Sequence, residues 1–300
     1  MPFAGELAAL GTAVCWASAA NLFTSAARRL GPSTLNRLRL AFAVVFLALA
    51  LLVLRGSPWP TWATGVQISI LALSGLVGFA FGDHHGFRAF MLLGPGRATL
   101  VASVWPLLAT LVAWPLFGER PGPLVLLGMA LMFAGLAWVL LEPRPGAEAP
   151  SARGAHVAGI VAGLLAAAGQ AGGYVLSKLA LDTGIDPLSA TLVRAVAGLV
   201  ALWGWALVRG EAGPTLARAR ADRAGTAFAA AGAIAGPFLG VTLSLLALSY
   251  VATGVAATIT SFFPVLTILI ARVFHHEPIT PRLILGALVA VAGVAVLFAR

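Results

Sequence analysis

Long, uninterrupted apolar runs dominate the pattern of hydrophobic and polar positions along the chain. Two clear examples are Leu40–Leu54 and Leu283–Ala299. A helix that crosses a bilayer needs about 20 consecutive, mainly apolar residues. When the runs are read between Gly, Pro and Arg positions, the sequence predicts ten such helices. Their predicted limits are 5–27, 34–54, 64–93, 96–117, 122–141, 156–179, 187–208, 225–249, 253–274 and 281–299.

Composition agrees with a chain that lies in lipid. Hydrophobic residues make up 60% of the sequence and charged residues 10%, with a mean hydropathy of +0.97, whereas soluble domains carry about 25% charged residues. In lipid every backbone polar group must be paired inside helices or closed barrels, and barrel strands give short alternating runs instead of continuous ones. The sequence therefore predicts an all-α integral membrane protein.

Charge and cysteine content narrow the function classes. The net charge of +9 comes from arginines that cluster near the ends of the apolar runs, as membrane topology requires, so we expect no nucleic-acid partner. The single cysteine, Cys15, excludes an internal disulfide and a Cys-based metal cage. No nucleotide-binding motif occurs, and we expect no cofactor and no metal.

The chain repeats itself. A Pro-, Ala- and charge-rich stretch at 142–155 predicts a linker between two halves, 1–141 and 156–300. Shifting the sequence by 158 residues brings equivalent residues together over most of the two halves, and a shift of 155 does so for the earlier helices. The matched pairs include Gly78 with Gly236, Gly82 with Gly240, Pro106 with Pro264, Pro32 with Pro187, and Arg39 with Arg194.

An odd number of helices in each half has a topological consequence. With five spans per half, the second half must enter the membrane upside down relative to the first. Inverted repeats are typical of secondary transporters, whose substrate site lies near the bilayer midplane between the halves. The predicted fold is therefore ten transmembrane helices arranged as two inverted five-helix repeats.

Two motifs in register carry a family resemblance. One reads PLLATLVAWPLFGERPGPLVLLG from Pro106, and the other reads PVLTILIARVFHHEPITPRLILG from Pro264. With Trp16, the Pro32 to Arg39 spacing and the segment GDHHGFRAFMLLGPGRATL from Gly82, the whole chain resembles the EamA-type branch of the drug/metabolite transporter superfamily. The resemblance implies a bacterial inner-membrane exporter or permease of amino acids, metabolites or drugs.

An ionisable triplet, Asp83, His84 and His85, lies well inside the third predicted span. Ionisable groups at that depth are costly and are functional candidates by default. Their counterparts in the second half are Val241, Thr242 and Leu243. The shared scaffold therefore does not require charge at these positions.

Two interpretations of the triplet remain open. One is an ion pair of Asp83 with Arg39 or Arg88, and the other is a role in proton or substrate coupling. A metal site is disfavoured because adjacent helical residues point about 100° apart and cannot all face one ion.

A polar stripe is predicted on the sixth span. Gln170, Tyr174 and Lys178 recur every four residues in a helix otherwise rich in Gly and Ala, which indicates a cavity wall. Lys178 lies near the helix end, where it is also long enough to reach the interface.

The matched arginines and prolines have two interpretations each. Arg39 and Arg194 fit a scaffold role in gate or interface pairing, or an anion-binding role suited to a guanidinium. Pro106 and Pro264 interrupt helical hydrogen bonding in the fourth and ninth spans and predict either hinges or static bends. The remaining candidates for the substrate pathway are Trp105, Asn21 and, through the family resemblance, Trp16.

These observations predict a non-enzymatic secondary transporter whose partners are a small metabolite, the bilayer and protons bound at Asp83. The alternatives are an intramembrane enzyme, a channel or a non-transporting scaffold. No complete protease or hydrolase motif supports an enzyme, since His276-Glu277 is followed at the third position by Thr280.

Arginine placement predicts the orientation. Ten arginines lie in the odd-numbered connections and three in the even ones and the tail, so the positive-inside rule places the odd connections in the cytoplasm and both termini outside. The family resemblance implies the opposite orientation, with both termini inside. The ten are Arg28, Arg29, Arg97, Arg144, Arg153, Arg209, Arg218, Arg220, Arg223 and Arg282.

Overall fold

In the computed structural model the described residues form helices joined by turns and short irregular segments, and no strand occurs among them. They are 3–105, 108–109, 111–112, 116, 122–140, 150–240, 243–244, 247, 260, 263–276 and 280–298. By length and hydropathy, five described helical stretches are able to cross a membrane, at Ala4–Leu30, Pro32–Arg55, Gly65–Leu93, Gly154–Leu181 and Pro187–Val208. Phe263–His275 and Pro281–Gly293 are shorter apolar helices.

Described helices lie in each predicted span, but those in the fourth, eighth and ninth spans are described only in part. In chain order they are α1 Ala4–Leu30, α2 Pro32–Arg55, α3 Gly65–Gly75, π1 Leu76–Gly82, α4 Asp83–Leu93, α5 Pro95–Ala102, α6 Pro123–Leu140, α7 Pro150–Leu181, α8 Pro187–Val208, α9 Ala212–Ala221, α10 Arg223–Ala233, π2 Ile234–Gly240, α11 Phe263–His275 and α12 Pro281–Phe298.

Local sequence signals explain several helix ends. Gly31 and Gly94 have φ of +82° and +79°, and each is followed by a proline at the first helical position, where the missing N–H costs nothing. The sharp Gly-Pro turns therefore separate α1 from α2 and α4 from α5. Thr64 and Gln67 form a reciprocal capping box at the start of α3.

Two wide-wound segments occur at repeat-equivalent positions. The π-helices Leu76–Gly82 and Ile234–Gly240 are related by the same 158-residue shift that matches Gly78 with Gly236. Such segments are rare and often mark functional sites. The third predicted span is thus one continuous helical stretch made of α3, π1 and α4, and the described part of the eighth consists of α10 and π2.

Repeat-equivalent helices run in opposite directions. The Trp203 indole of α8 donates to the Arg37 carbonyl near the start of α2, and a Cβ at Gly198 would touch Leu40 further along. At the far end Arg55 approaches Asp186, before α8 begins. Residue numbers rise in α2 as they fall in α8, so these helices are antiparallel. In α6 and α12 the Arg282 side chain reaches the Trp138 carbonyl, and Gly135 packs on the backbone of Gly286.

Small residues line the contact between the third stretch and α7. The contacts join Gly82 with Gly169, Gly78 with Gly173, and the hydroxyls of Ser74 and Ser177, which are 2.9 Å apart. A Cβ at Gly173 would lie 3.0 Å from the Gly78 Cα. Such close backbone approach is how membrane helices gain packing energy without a hydrophobic driving force between them.

Three details differ from the sequence prediction or fall outside it. α7 begins at Pro150, so the last part of the stretch 142–155 is helical instead of an extended linker. The seventh connection contains a helix of its own, α9, which the pattern of apolar runs did not reveal. Pro106 lies outside the described residues, and its effect on the fourth span remains a prediction.

Candidate functional site

A buried polar cluster surrounds Asp83, the first residue of α4 after π1. Its side chain is 16% exposed and forms an ion pair with Arg39 of α2. The Gln170 amide of α7 donates to the other carboxylate oxygen at 2.6 Å. Groups from both halves of the chain therefore meet on one carboxylate, and the pairing partner is Arg39 and not Arg88.

Arg39 has partners besides Asp83. Its guanidinium donates to the Asn36 side-chain oxygen at 3.2 Å. Its Cζ also lies 5.3 Å to 5.6 Å from the ring centroids of Phe23, Phe79 and Phe87, an aromatic surround that favours a cation. Arg39 is 3% exposed, so these contacts compensate for its removal from water.

Asn36 joins this cluster to the π-helix. Its amide nitrogen donates to the carbonyls of Phe79 and Ala80 at 3.1 Å and 3.5 Å. A side-chain donor aimed at the π1 backbone helps to satisfy carbonyls in the widened turn. The sequence analysis missed Asn36, although its position one turn before Arg39 on the same helix was a usable signal. Its repeat counterpart is Thr191, whose hydroxyl bonds within its own helix instead.

Arg194 adds a second positive charge. Its Cζ lies 4.5 Å from the Phe79 ring centroid. Its buried Nε has no hydrogen-bond partner among the described residues. Arg39 and Arg194 thus lie over the same Phe79 ring, and the cluster has two guanidinium groups and one carboxylate, an excess of positive charge.

The two histidines of the triplet do not join Asp83. His85 Nδ1 lies 2.9 Å from the Phe81 carbonyl, and its ring centroid lies 4.5 Å from that of Phe81. His84 is influenced by the charges of Arg37 and Arg88. The described residues contain no group of three or more His, Cys, Asp or Glu side chains that could hold a metal ion.

The residues of the predicted polar stripe on α7 contact two different neighbours. Gln170 faces Asp83, whereas the Tyr174 ring lies 5.2 Å from the Trp105 ring and is 51% exposed. Lys178 belongs to α7, but its side chain is outside the described part of the chain. Gln170 and Tyr174 therefore do not line one continuous polar wall.

Trp16 and Asn21 face the second half of the chain. The Trp16 ring packs on Gly236 and Gly240 of π2, as α7 packs on π1 in the other half. Asn21 is 3% exposed and donates to the Thr267 carbonyl of α11 at 3.3 Å. Both residues lie at the contact between α1 and the second half, away from the contacts of Asp83 described above.

Pro264 is buried in the first turn of α11. Proline is tolerated in the first turn of a helix because the N–H it lacks would have had no helical acceptor there. Residues 261–262, immediately before it, are outside the described residues, so a hinge or bend at Pro264 remains a prediction.

Ionic contacts close the end of the bundle where α1 ends and α2 begins, and we call them the arginine clamp. Arg29 pairs with Asp222 at 2.8 Å, and Arg37 pairs with Glu211 and donates to Thr215 at 2.8 Å. The hydrogen bond from Arg29 and the backbone N–H of Gly225 lower the pKa of Asp222. The hydrogen bond from Arg37 likewise lowers the pKa of Glu211. Both carboxylates are therefore ionised near neutral pH.

Acid is expected to loosen this clamp. Because both pKa values are lowered by folding, the stabilisation is present above the unfolded-state value of about 4 and is lost as the pH falls through the folded-state value. Thermal unfolding of the purified protein, followed from neutral pH to about pH 3, should show this loss. Asp222→Asn should reduce it. Asp182→Asn is the matched control, and equal pH profiles for all three proteins would contradict a stabilising clamp.

The fold and the site together define a multi-pass helical membrane protein with a polar cluster between two repeats. The chain belongs to the EamA-like transporter family, which matches residues 3–141 and 157–299 and thereby covers both repeats. Membership of this family agrees with the membrane character that the long apolar helices indicate.

Relatives cover the chain unevenly. Over 89 residues it is 39% identical to the aromatic amino acid exporter YddG of Ancylobacter novellus, a match that covers 30% of this chain and 27% of that protein. Over 217 residues it is 30% identical to an uncharacterized protein of Pseudomonas aeruginosa, covering 71% of this chain and 65% of that one. Both matches span less than two thirds of the relative's length.

A solved crystal structure shares the fold. It aligns with a TM-score of 0.55 at 23% identity and covers 97% of this chain and 95% of its own. At that identity the likeness concerns the fold alone.

Proposed function

We propose that this protein is a secondary transporter that moves a small, amino-acid-like metabolite by alternating access, with proton coupling at Asp83. The observation that carries the proposal is the set of contacts to this carboxylate. Arg39 belongs to the first repeat, whereas Gln170 belongs to the second. A change of charge at Asp83 therefore acts on the contact between the two halves.

Protonation supplies a simple coupling step. A proton on Asp83 removes its negative charge and weakens both the ion pair with Arg39 and the hydrogen bond from Gln170. The halves are then less tightly joined at this point. Loss of the proton restores the contact, so proton binding and release bias two arrangements of the same helices.

The excess of positive charge around Asp83 favours a substrate that carries a carboxylate. Arg39 pairs with Asp83, whereas the buried Nε of Arg194 has no hydrogen-bond partner among the described residues. A substrate carboxylate would supply the missing negative charge. The relative named as an aromatic amino acid exporter supports a substrate of that kind. Tyr174, one turn after Gln170 on α7, and the Trp105 ring 5.2 Å from it add an aromatic surface.

The proposal includes ten spans in two inverted repeats. The antiparallel course of α2 against α8, and of α6 against α12, supports it, because equivalent helices of parallel repeats would run the same way. The matched π-helices support the same alignment of the halves.

The proposed function includes an orientation of the protein in the membrane. The arginine clamp and the arginines of the odd connections lie at the end we assign to the cytoplasm, with both termini outside. A reporter active only outside the cytoplasm, fused after Arg300, should give signal in bacterial cells. The same reporter inserted between Arg209 and Glu211 serves as the control and should be silent. The reverse pattern would invert the orientation.

Flux in liposomes tests the proposal as a whole. The purified protein is reconstituted, a proton gradient is imposed, and uptake of labelled phenylalanine is compared with that of phenylethylamine, which lacks the carboxylate. We expect gradient-dependent uptake of the amino acid and much less of the amine. Uptake no faster than in protein-free liposomes, across a panel of labelled amino acids, would contradict amino-acid transport.

A further inference from the structure

The connecting helix α9 is anchored to the bundle by the arginine clamp. Glu211, just before α9, pairs with Arg37, and Asp222, just after it, pairs with Arg29. Thr215, in the middle, is 1% exposed and accepts a hydrogen bond from Arg37. Both carboxylates of the connection are thus directed to the bundle.

Exposed arginines make the rest of this connection strongly basic. Four exposed arginines lie on it or beside it, and none forms an ion pair within the described part of the chain. Arg209 and Arg218 are influenced by the charge of Glu211, but the salt bridge of Glu211 is made with Arg37. We call the following set the basic surface: Arg209, Arg218, Arg220 and Arg223, with the exposed apolar residue Leu216.

The basic surface lies at the depth of lipid headgroups. α8 is apolar up to Val208, which is 81% exposed, as expected for a side chain that faces lipid. Trp205 is 56% exposed, and the Arg209 Cζ lies 4.8 Å from its ring centroid. Tryptophan favours the membrane–water boundary. α9 begins three residues after Arg209 and therefore lies close to this boundary.

We propose that the basic surface binds the phosphate headgroups of anionic phospholipids. The arginines supply charge and bidentate donors for phosphate, and Leu216 supplies an apolar side chain for the acyl region. The connection that contains α9 is anchored to α1 through Arg29 and to α2 through Arg37. Lipid bound to the basic surface is therefore held next to the arginine clamp. The proposal does not depend on what the protein transports.

Lipid binding to the full chain tests the proposal. The purified protein in neutral detergent is titrated with phosphatidylglycerol or with zwitterionic phosphatidylcholine, and bound lipids are counted by native mass spectrometry. Each arginine near an anionic surface is worth about a fivefold change in affinity. We therefore expect the triple variant R218Q/R220Q/R223Q to bind phosphatidylglycerol at least about tenfold more weakly, with phosphatidylcholine binding unchanged.

Controls separate this surface from charge in general. Arg55→Gln removes an exposed arginine at the opposite end of α2 and should leave phosphatidylglycerol binding as in the wild type, whereas Arg220→Gln alone should weaken it. Raising the salt concentration should weaken binding to the wild type more than to the triple variant. If the triple variant does not fold, the Arg220→Gln variant and the salt dependence of the wild type still test whether the basic surface binds phosphatidylglycerol. Equal preference of wild type and variants for phosphatidylglycerol, or salt-independent binding, overturns the proposal.

Discussion

Replacing Asp83 with Asn is expected to abolish pH-driven transport while the protein still inserts and folds. Asparagine keeps the shape and a hydrogen-bonding oxygen but takes no proton in the working pH range. We expect gradient-driven flux in liposomes to fall by about tenfold or more, since losing about 1.4 kcal/mol of coupling already changes an equilibrium tenfold.

Folding should survive because Arg39 is not left alone. Without the carboxylate charge it retains Asn36 and the rings of Phe23, Phe79 and Phe87. Arg39→Gln is expected to be more harmful to folding, because it leaves Asp83 charged and buried with Gln170 as its remaining hydrogen-bond donor. The order of detergent-solubilised yields should be wild type, Asp83→Asn and then Arg39→Gln.

The matched control is Asp182→Asn, a carboxylate outside the cluster, which should transport as the wild type does. A folded Asp83→Asn protein that keeps the wild-type rate and pH dependence would exclude proton coupling at this residue. An Asp83→Asn protein that fails to accumulate would favour a purely structural ion pair.

Replacing Gly169 with Ala should strongly destabilise the bundle. An added Cβ would lie 2.9 Å from both the Gly82 nitrogen and the Val77 carbonyl oxygen, so it would meet backbone that cannot move aside like a flexible side chain. Overpacking of this kind costs about 1–3 kcal/mol. Thermal unfolding in detergent should show a clear loss of stability, with a smaller yield of folded protein.

Gly204→Ala provides the comparison. Gly204 is also inside a helix, and a Cβ there would have nothing within 4 Å. Alanine is the better helix former by about 1 kcal/mol, so this variant should be neutral or slightly more stable. Equal destabilisation by both substitutions would show that the close contact of π1 with α7 is not what makes Gly169 sensitive.

The amino-acid sequence was sufficient to predict helices, repeats and family. Long apolar runs are an unambiguous signal because lipid allows few alternatives for the backbone. The glycine pairs were also informative, since Gly78 and Gly82 proved to be the residues on which α7 packs. Asp83 stood out for a physical reason, as a charge in one repeat where the other has Val241.

The arrangement of the site was beyond the sequence. Helical spacing placed Gln170 and Tyr174 on one face of α7. In the structure Gln170 contacts Asp83 and Tyr174 contacts Trp105. Only the packing of the helices determines these partners. The choice between Arg39 and Arg88 as the partner of Asp83 required the relative rotation of two helices. α9 was missed because its short, basic sequence has no long apolar run, and its stability comes from the two ion pairs that anchor it.

The direction in which the Asp83 side chain points depends on the pitch of π1, the widely wound segment immediately before it. A single extra residue is accommodated in such a segment, and rewinding Leu76–Gly82 to α-helical pitch would rotate α4 by roughly 100° relative to α3. Arg39 and Gln170 lie on two other helices, so that rotation would move Asp83 away from both at once. The rotational setting of α4 and the ionic contact of Asp83 are therefore linked through the winding of π1.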